Sequence, residues 1–307
     1  MIKRISEMKN GKTLKKYLFV GGMLLIPIVH FLFFYVYVNF NSILMAFQRP
    51  RYDGSGLFDW SFENFTMFWD ELVKTDSDIL LYLKNTLIFF FTDLLIVLPL
   101  SLISCYFIYK KIAGARWFRT IIFLPQIVMP TIFATLYKYM VGTGGPLFAL
   151  WEATGTEPTY FFRSSETALG GILFYMIYTG LGGRFVLFGG AMNSIDDSII
   201  DAGKIDGATP LRELVSIIIP CIWPTLSTML LMSSVGIFTA SGPLLLFTKG
   251  DFKTNTISFW IYGLTTGTGG GGSVDQEYAS AIGLIFTLVG FPIVLAVKKA
   301  IGITEDK

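Results

Sequence analysis

Two cysteines, Cys105 and Cys221, and one histidine, His30, are all the thiol and imidazole ligands in this 307-residue chain. That scarcity excludes a disulfide scaffold, a cysteine-built zinc site and histidine-rich metal chemistry. Charge is scarce as well. Asp, Glu, Lys and Arg make up 15% of the residues, where soluble domains carry about 25%. The 24 basic and 22 acidic groups leave a formal charge of +2, too even a balance to attract nucleic acid. No Walker motif, His-Glu-x-x-His or Gly-x-Ser-x-Gly pattern occurs, so no catalytic constellation is visible. The glycine run at 267–273 lacks the Lys of a phosphate loop and reads as a flexible outer connection.

Apolar surface is abundant. Hydrophobic residues make up 53% of the chain, and the mean hydropathy is +0.60. Such a chain has too little polar surface to coat a water-soluble globule, and it is too apolar for disorder. It reads as an all-α integral membrane protein. A bilayer-crossing helix needs about 20 mostly apolar residues. Six stretches supply them: 17–47, 82–109, 120–137, 167–195, 214–248 and 278–297. The fifth is too long for one straight span. Pro220, Pro224, Gly236, Gly242 and Pro243 offer kinks, so a span over 220–240 with a re-entrant stretch after it is expected.

Lys and Arg accumulate in cytoplasmic loops. With the N-terminus inside, the inner segments 1–16, 110–119, 196–213 and 298–307 hold 15 Lys and Arg. The longer outer segments 48–81, 138–166 and 249–277 hold 7. Six transmembrane helices with both termini cytoplasmic follow. The expected organisation is a basic N-terminus at 1–16, a six-helix transmembrane domain at 17–301 and a tail at 302–307.

The inner loop between the fourth and fifth spans, about 196–213, carries the clearest local signals. Asp196, Asp197 or Ser198 can cap a short helix. Gly207 can end it in a left-handed conformation. Thr209-Pro210 then restarts a helix, with Thr as the cap and Pro in the first position. About nine helical residues result, too few to be stable alone in water. They need something to dock against. Ala202 and Gly203 permit close approach on the side of Ile199, following helical spacing.

Residues Asp201, Ala202, Gly203, Lys204, Ile205, Asp206, Gly207 and Ala208, with Pro220 and Pro224 beyond, resemble the EAA loop of membrane subunits of binding-protein-dependent ABC importers. Asp201 stands where that family has Glu, and Gly203 where it has a second Ala. Phe123-Leu124-Pro125, Gly144-Gly145-Pro146-Leu147, Asn85-Thr86 and Tyr278-Ala279-Ser280-Ala281 extend the resemblance toward carbohydrate permeases similar to the larger maltose-transporter membrane subunit.

The resemblance implies a type I ABC importer permease in a bacterial inner or plasma membrane. It implies that Asp197, Asp201, Ala202, Gly203, Asp206, Gly207 and Ala208 couple the chain to a cytoplasmic ATPase dimer. It further implies a second homologous permease subunit, an extracytoplasmic solute-binding protein and a sugar or oligosaccharide substrate. No cofactor is expected in this chain, with ATP and Mg belonging to the partner ATPase. Sugar contacts are implied in mid-membrane on the fourth and fifth spans, at Tyr178, Thr179, Gly180, Ser233 and Ser234. Asp93, an ionisable residue within the second span, pairs with Arg184 or faces the substrate path. Small residues pack membrane helices too, so a purely structural role for Gly180 and the serines stays open. A stand-alone secondary transporter or channel is the alternative, though no inverted repeat is visible.

Overall fold

The computed structural model describes residues 2–51, 57–155, 160–268 and 274–302, with side chains from Lys15 onward. Most of the glycine run (269–273), the tail beyond Gly302 and the side chains of residues 1–14 in the basic N-terminal segment lie outside that description. The chain is mostly helical, with four to six candidate membrane spans. It divides into two compact units, 1–67 with 276–284 and 68–275 with 285–307.

In the first unit, α1 (Lys15–Met45) is a 31-residue apolar helix whose side chains are exposed from Lys15 through Ile43. Lipid or another chain must cover it. A short antiparallel hairpin follows, β1 (Gln48–Pro50) with β2 (Phe58–Trp60), in register Gln48 to Trp60. Buried Asn64 ties the hairpin down by donating to the Ala46 and Gln48 carbonyls at 2.9 and 3.0 Å.

The second unit carries the functional elements. After α2 (Glu63–Val73), which begins at the end of the first unit, α3 (Ile79–Tyr109) runs for 31 residues, about 46 Å at 1.5 Å per residue. It loosens into wider π-type turns over Asp93–Val97. A tight turn with left-handed Lys111 and Gly114 leads into α4 (Ala115–Ile127). From there α5 (Pro130–Val141) and α6 (Pro146–Thr154) reach the fourth apolar stretch, α7 (Ala168–Asn193). Then come α8 (Asp197–Ile205), α9 (Pro210–Cys221), α10 (Trp223–Val235), α11 (Ile257–Thr266) and α12 (Gln276–Ile301), whose first residues, 276–284, belong to the first unit.

Two of the expected spans are bent. Between α4 and the α5–α6 stretch the chain turns by 110°, and between α9 and α10 by 79°. The first bend has a local cause. Proline disfavours the helical conformation of the residue before it, and Met129 takes ψ 129° ahead of Pro130. At the second, Ile222 leaves helical geometry between Pro220 and Pro224. The fifth span is therefore not one helix over 220–240, because α10 ends at Val235 and a single turn, Leu244–Phe247, follows.

One buried cluster joins α3, α7, α8, α9 and α10 through Leu98, Leu102, Tyr106, Phe188, Met192, Ile200, Ile218 and Leu226. A second gathers Phe89, Ile172, Tyr175, Leu244, Phe247 and Phe259, with the Phe162 and Phe247 rings stacked at 4.8 Å. The Asn85-Thr86 pair locks the loop before α11. Asn85 donates to the carbonyls of Lys253 and Asn255, both at 2.8 Å, and Thr86 Oγ1 accepts from the Ile257 N–H. Helix α7 meets α4 so closely that a methyl on Gly182 would stand 2.6 Å from the Ile122 carbonyl oxygen.

Candidate functional site

Two places gather the residues singled out from the sequence. The first is the loop between α7 and α9. Asp196 is the cap among the three candidates: its carboxylate accepts from the Ser198 N–H at 2.9 Å, which holds its pKa below the usual carboxylate value. Helix α8 spans nine residues, Asp197–Ile205. Gly207 then turns left-handed at φ +71°. Its N–H donates to the Lys204 carbonyl and the Ala208 N–H donates to Gly203, at 3.0 and 2.9 Å. This is the paired pattern of a Schellman stop. Thr209 caps α9 through the Arg212 N–H, with Pro210 in the first position.

The faces of α8 fall differently from the expected grouping of Gly203 and Ala202 with Ile199. Ile200 and Gly203 are buried, whereas Ile199, Ala202 and Ile205 are exposed, Ile205 at 86%. Gly203 is three residues from Ile200 and four from Ile199, so spacing alone suits either row. Burial follows Ile200 because a methyl on Gly203 would overlap the Ile217 side chain of α9. The departure from the family's second Ala thus has a packing reason. Asp197, Asp201, Asp206 and Gly207 are exposed and Ala208 is half-buried. Lys204 pairs with Asp201 at 2.8 Å, which raises the lysine's pKa.

The seat of this loop holds two interactions that the sequence reading missed. Buried Glu213 takes Lys110 on both carboxylate oxygens at 2.8 Å. Tyr106 donates to the Pro210 carbonyl at 3.0 Å. Both fasten the start of α9 to the end of α3. The ion pair's sequence signal was a pair of opposite charges at the ends of two spans, and the Tyr106 bond left none.

The second place is a cavity of about 410 Å³ among α3, α7 and α10. Asp93 and Arg184 meet there at 2.6 Å, and Ser233 bonds to both side chains at 3.0 Å. Phe89, Met176, Met229 and Met232 supply apolar lining, and Thr239 a hydroxyl. Asp93 opens the loosened segment of α3, and Arg184 sits at a break within α7. Neither lies in uninterrupted α-helix.

Asp93 and Ser233 are thus together, while the other four path candidates are turned to internal partners. Tyr178 donates to the Ile121 carbonyl at 3.0 Å. Thr179 donates to Tyr175, and its carbonyl accepts from Gln126 at 2.7 Å. Gly180 packs on Val97, whose Cγ1 would stand 2.6 Å from an added Cβ. Buried Ser234 donates to Leu230 in its own helix.

No family model matches the sequence. The chain is 26% identical over 267 residues to the lactose transport system permease LacF of Rhizobium radiobacter, covering 82% of this chain and 86% of that one. It is 24% identical to the multiple sugar-binding transport permease MsmF of Streptococcus mutans over 94% of this chain and 96% of that one. It is 23% identical to the sn-glycerol-3-phosphate permease UgpA of Pectobacterium atrosepticum, over 76% and 77%. A chain in the crystal structure of a bacterial ABC transporter that imports the acidic polysaccharide alginate superposes with a TM-score of 0.80. It covers 95% of this chain and 98% of its own length at 22% identity. The chain's curated relatives are sugar ABC transporter permeases, and its fold is that of an ABC importer's membrane subunit.

Proposed function

We propose that this chain is one membrane subunit of an ATP-driven importer for a sugar or oligosaccharide, spanning a bacterial inner or plasma membrane six times with both termini cytoplasmic. It forms half of the translocation path beside a second homologous permease subunit. An extracytoplasmic binding protein delivers the substrate. Cytoplasmic ATPase subunits hold ATP and Mg and hydrolyse the nucleotide, so the chain itself is a transport subunit and not an enzyme.

The observation that carries this reading is the construction of the 196–213 loop. A short helix is stopped at both ends by capping and seated on α9 through Ile200 and Gly203, while Ile199, Ala202 and Ile205 face outward. A rigid body transmits a displacement that a flexible loop would absorb. Residues 201–208 receive that displacement from the ATPase. The Asp93, Arg184 and Ser233 cluster is the polar part of the path, with Tyr178, Thr179, Gly180 and Ser234 forming the wall behind it.

The docking claim is tested by crosslinking. A cysteine at Ile205, in a chain with Cys105 and Cys221 replaced by Ser, is expected to crosslink to the ATPase subunit, with a yield that changes on ATP binding. No crosslink in a transport-competent complex would sink the assignment.

A further inference from the structure

A second cavity, about 870 Å³ in volume, opens between the end of α3, the start of α4 and the end of α7. It shares no lining residue with the Asp93 cavity. Its lining combines two chemistries. Ile108, Phe123, Phe185 and Val186 are apolar, whereas Lys111, Arg116 and Arg119 are cationic. Lys110 is occupied by Glu213 at 2.8 Å, but no described carboxylate lies within ion-pair distance of those three cations. The left-handed turn at Lys111 and Gly114 folds the chain back, so that cations from both sides of the turn line one opening. Trp117, in the first turn of α4, is 75% exposed, as suits an aromatic residue at a membrane–water boundary.

We propose that this cavity holds the phosphate-bearing headgroup of an anionic phospholipid. The three cations are exposed and have no carboxylate partner among the described residues, Arg119 lying over the Phe123 ring at 5.7 Å, so their charge complements an anion and gives a neutral sugar nothing to match. The apolar wall beside them suits acyl chains. Basic pockets between membrane helices on the cytoplasmic side take anionic headgroups for this reason. The proposal rests on the topology proposed above, which puts this end of the helices at the cytoplasmic leaflet.

The test uses the assembled transporter in bilayer discs of phosphatidylcholine with and without phosphatidylglycerol. Native mass spectrometry counts retained phosphatidylglycerol, and a thermal melt reads stabilisation. Each cation near an anionic headgroup contributes about fivefold to binding. Arg119→Gln is therefore expected to weaken retention about fivefold, and Lys111→Gln/Arg116→Gln/Arg119→Gln by roughly a hundredfold. Lys298→Gln/Lys299→Gln, at residues that do not line the cavity, leaves retention unchanged. A charge-conserving Lys111→Arg/Arg116→Lys/Arg119→Lys chain retains the lipid and shows that loss in the triple Gln variant is not misfolding. Equal retention by wild type and triple Gln variant overturns the site. Stabilisation by inorganic phosphate equal to that by phosphatidylglycerol overturns the lipid in favour of a soluble phosphate compound. Retention is read by mass, so it stands even if no ATPase copurifies, in which case only the importer reading falls.

Discussion

Replacing Gly207 alters one backbone angle and little else. Its φ is +71°, and no heavy atom stands within 4 Å of where a Cβ would be. An added Cβ therefore meets no clash, and its penalty is conformational. An L-residue held left-handed costs about 1–2 kcal/mol. If the chain refuses that conformation, the two hydrogen bonds from Gly207 and Ala208 back to Lys204 and Gly203 are released instead, at roughly 1 kcal/mol each. Either route comes to about 1–2 kcal/mol, a factor of roughly 5–30 in population. A nine-residue helix has no reserve of its own to absorb that. Gly207→Val is expected to lower sugar uptake per ATP hydrolysed about fivefold or more, measured in proteoliposomes with the partner subunits. Gly207→Asn, which tolerates the left-handed region, stays near wild type, and Gly207→Ala falls between. Wild-type coupling in the Val chain would refute the argument. So would equal damage from Asn and Val, since that would make side-chain bulk the cause in place of the backbone angle.

Four other outcomes are expected. Asp93→Asn leaves Arg184 without its carboxylate; because the pair is partly exposed, about 1–3 kcal/mol of stability is lost, and Asp93→Asn/Arg184→Met recovers most of it in detergent melts. A coupling near zero in that double-mutant cycle would remove the pair from the structural account. Gly203→Ala loosens α8 through its overlap with Ile217 and is rescued by Ile217→Val; a stable, fully coupled single variant would contradict the packing reading. An impermeant thiol reagent labels Thr75→Cys but not Ser198→Cys in intact cells lacking Cys105 and Cys221, and the reverse pattern would invert the topology. The Asp196 carboxyl has a lowered pKa in the folded loop, so its contribution is present above the usual carboxylate pKa and fades as pH falls through the lowered value. Coupling should weaken in acid, less so in Asp196→Asn, and acid loss identical in both chains would count against that cap.

The long apolar runs of α1, α3, α7 and α12 were legible because hydropathy over twenty residues is a local property. So was α8, whose start and stop depend on Asp196, Gly207, Thr209 and Pro210 acting within a turn of themselves. The bends at Met129 and Ile222 were legible only as places: Pro130, Pro220 and Pro224 mark where a helix is free to break, but not that the chain turns there by 110° and 79°. Facing was the other blind spot. Gly203 suits two helical rows, and only Ile217 decides between them. Gly180 reads equally as a ligand approach or a helix contact, and Val97, more than eighty residues away, fills the space. The Asp93–Arg184 pair was visible as two lone charges in apolar stretches. That Ser233 closes the cluster follows from the approach of α10 to both.

Sugar uptake into proteoliposomes tests the central claim most directly. The vesicles hold internal ATP and this chain assembled with its second permease and ATPase subunits, and the binding protein is added outside. Accumulation that requires both ATP and the binding protein, and that falls in Gly207→Val, is the predicted result. Uptake by this chain alone, driven by an ion gradient or by the sugar's own gradient without ATP, would contradict it.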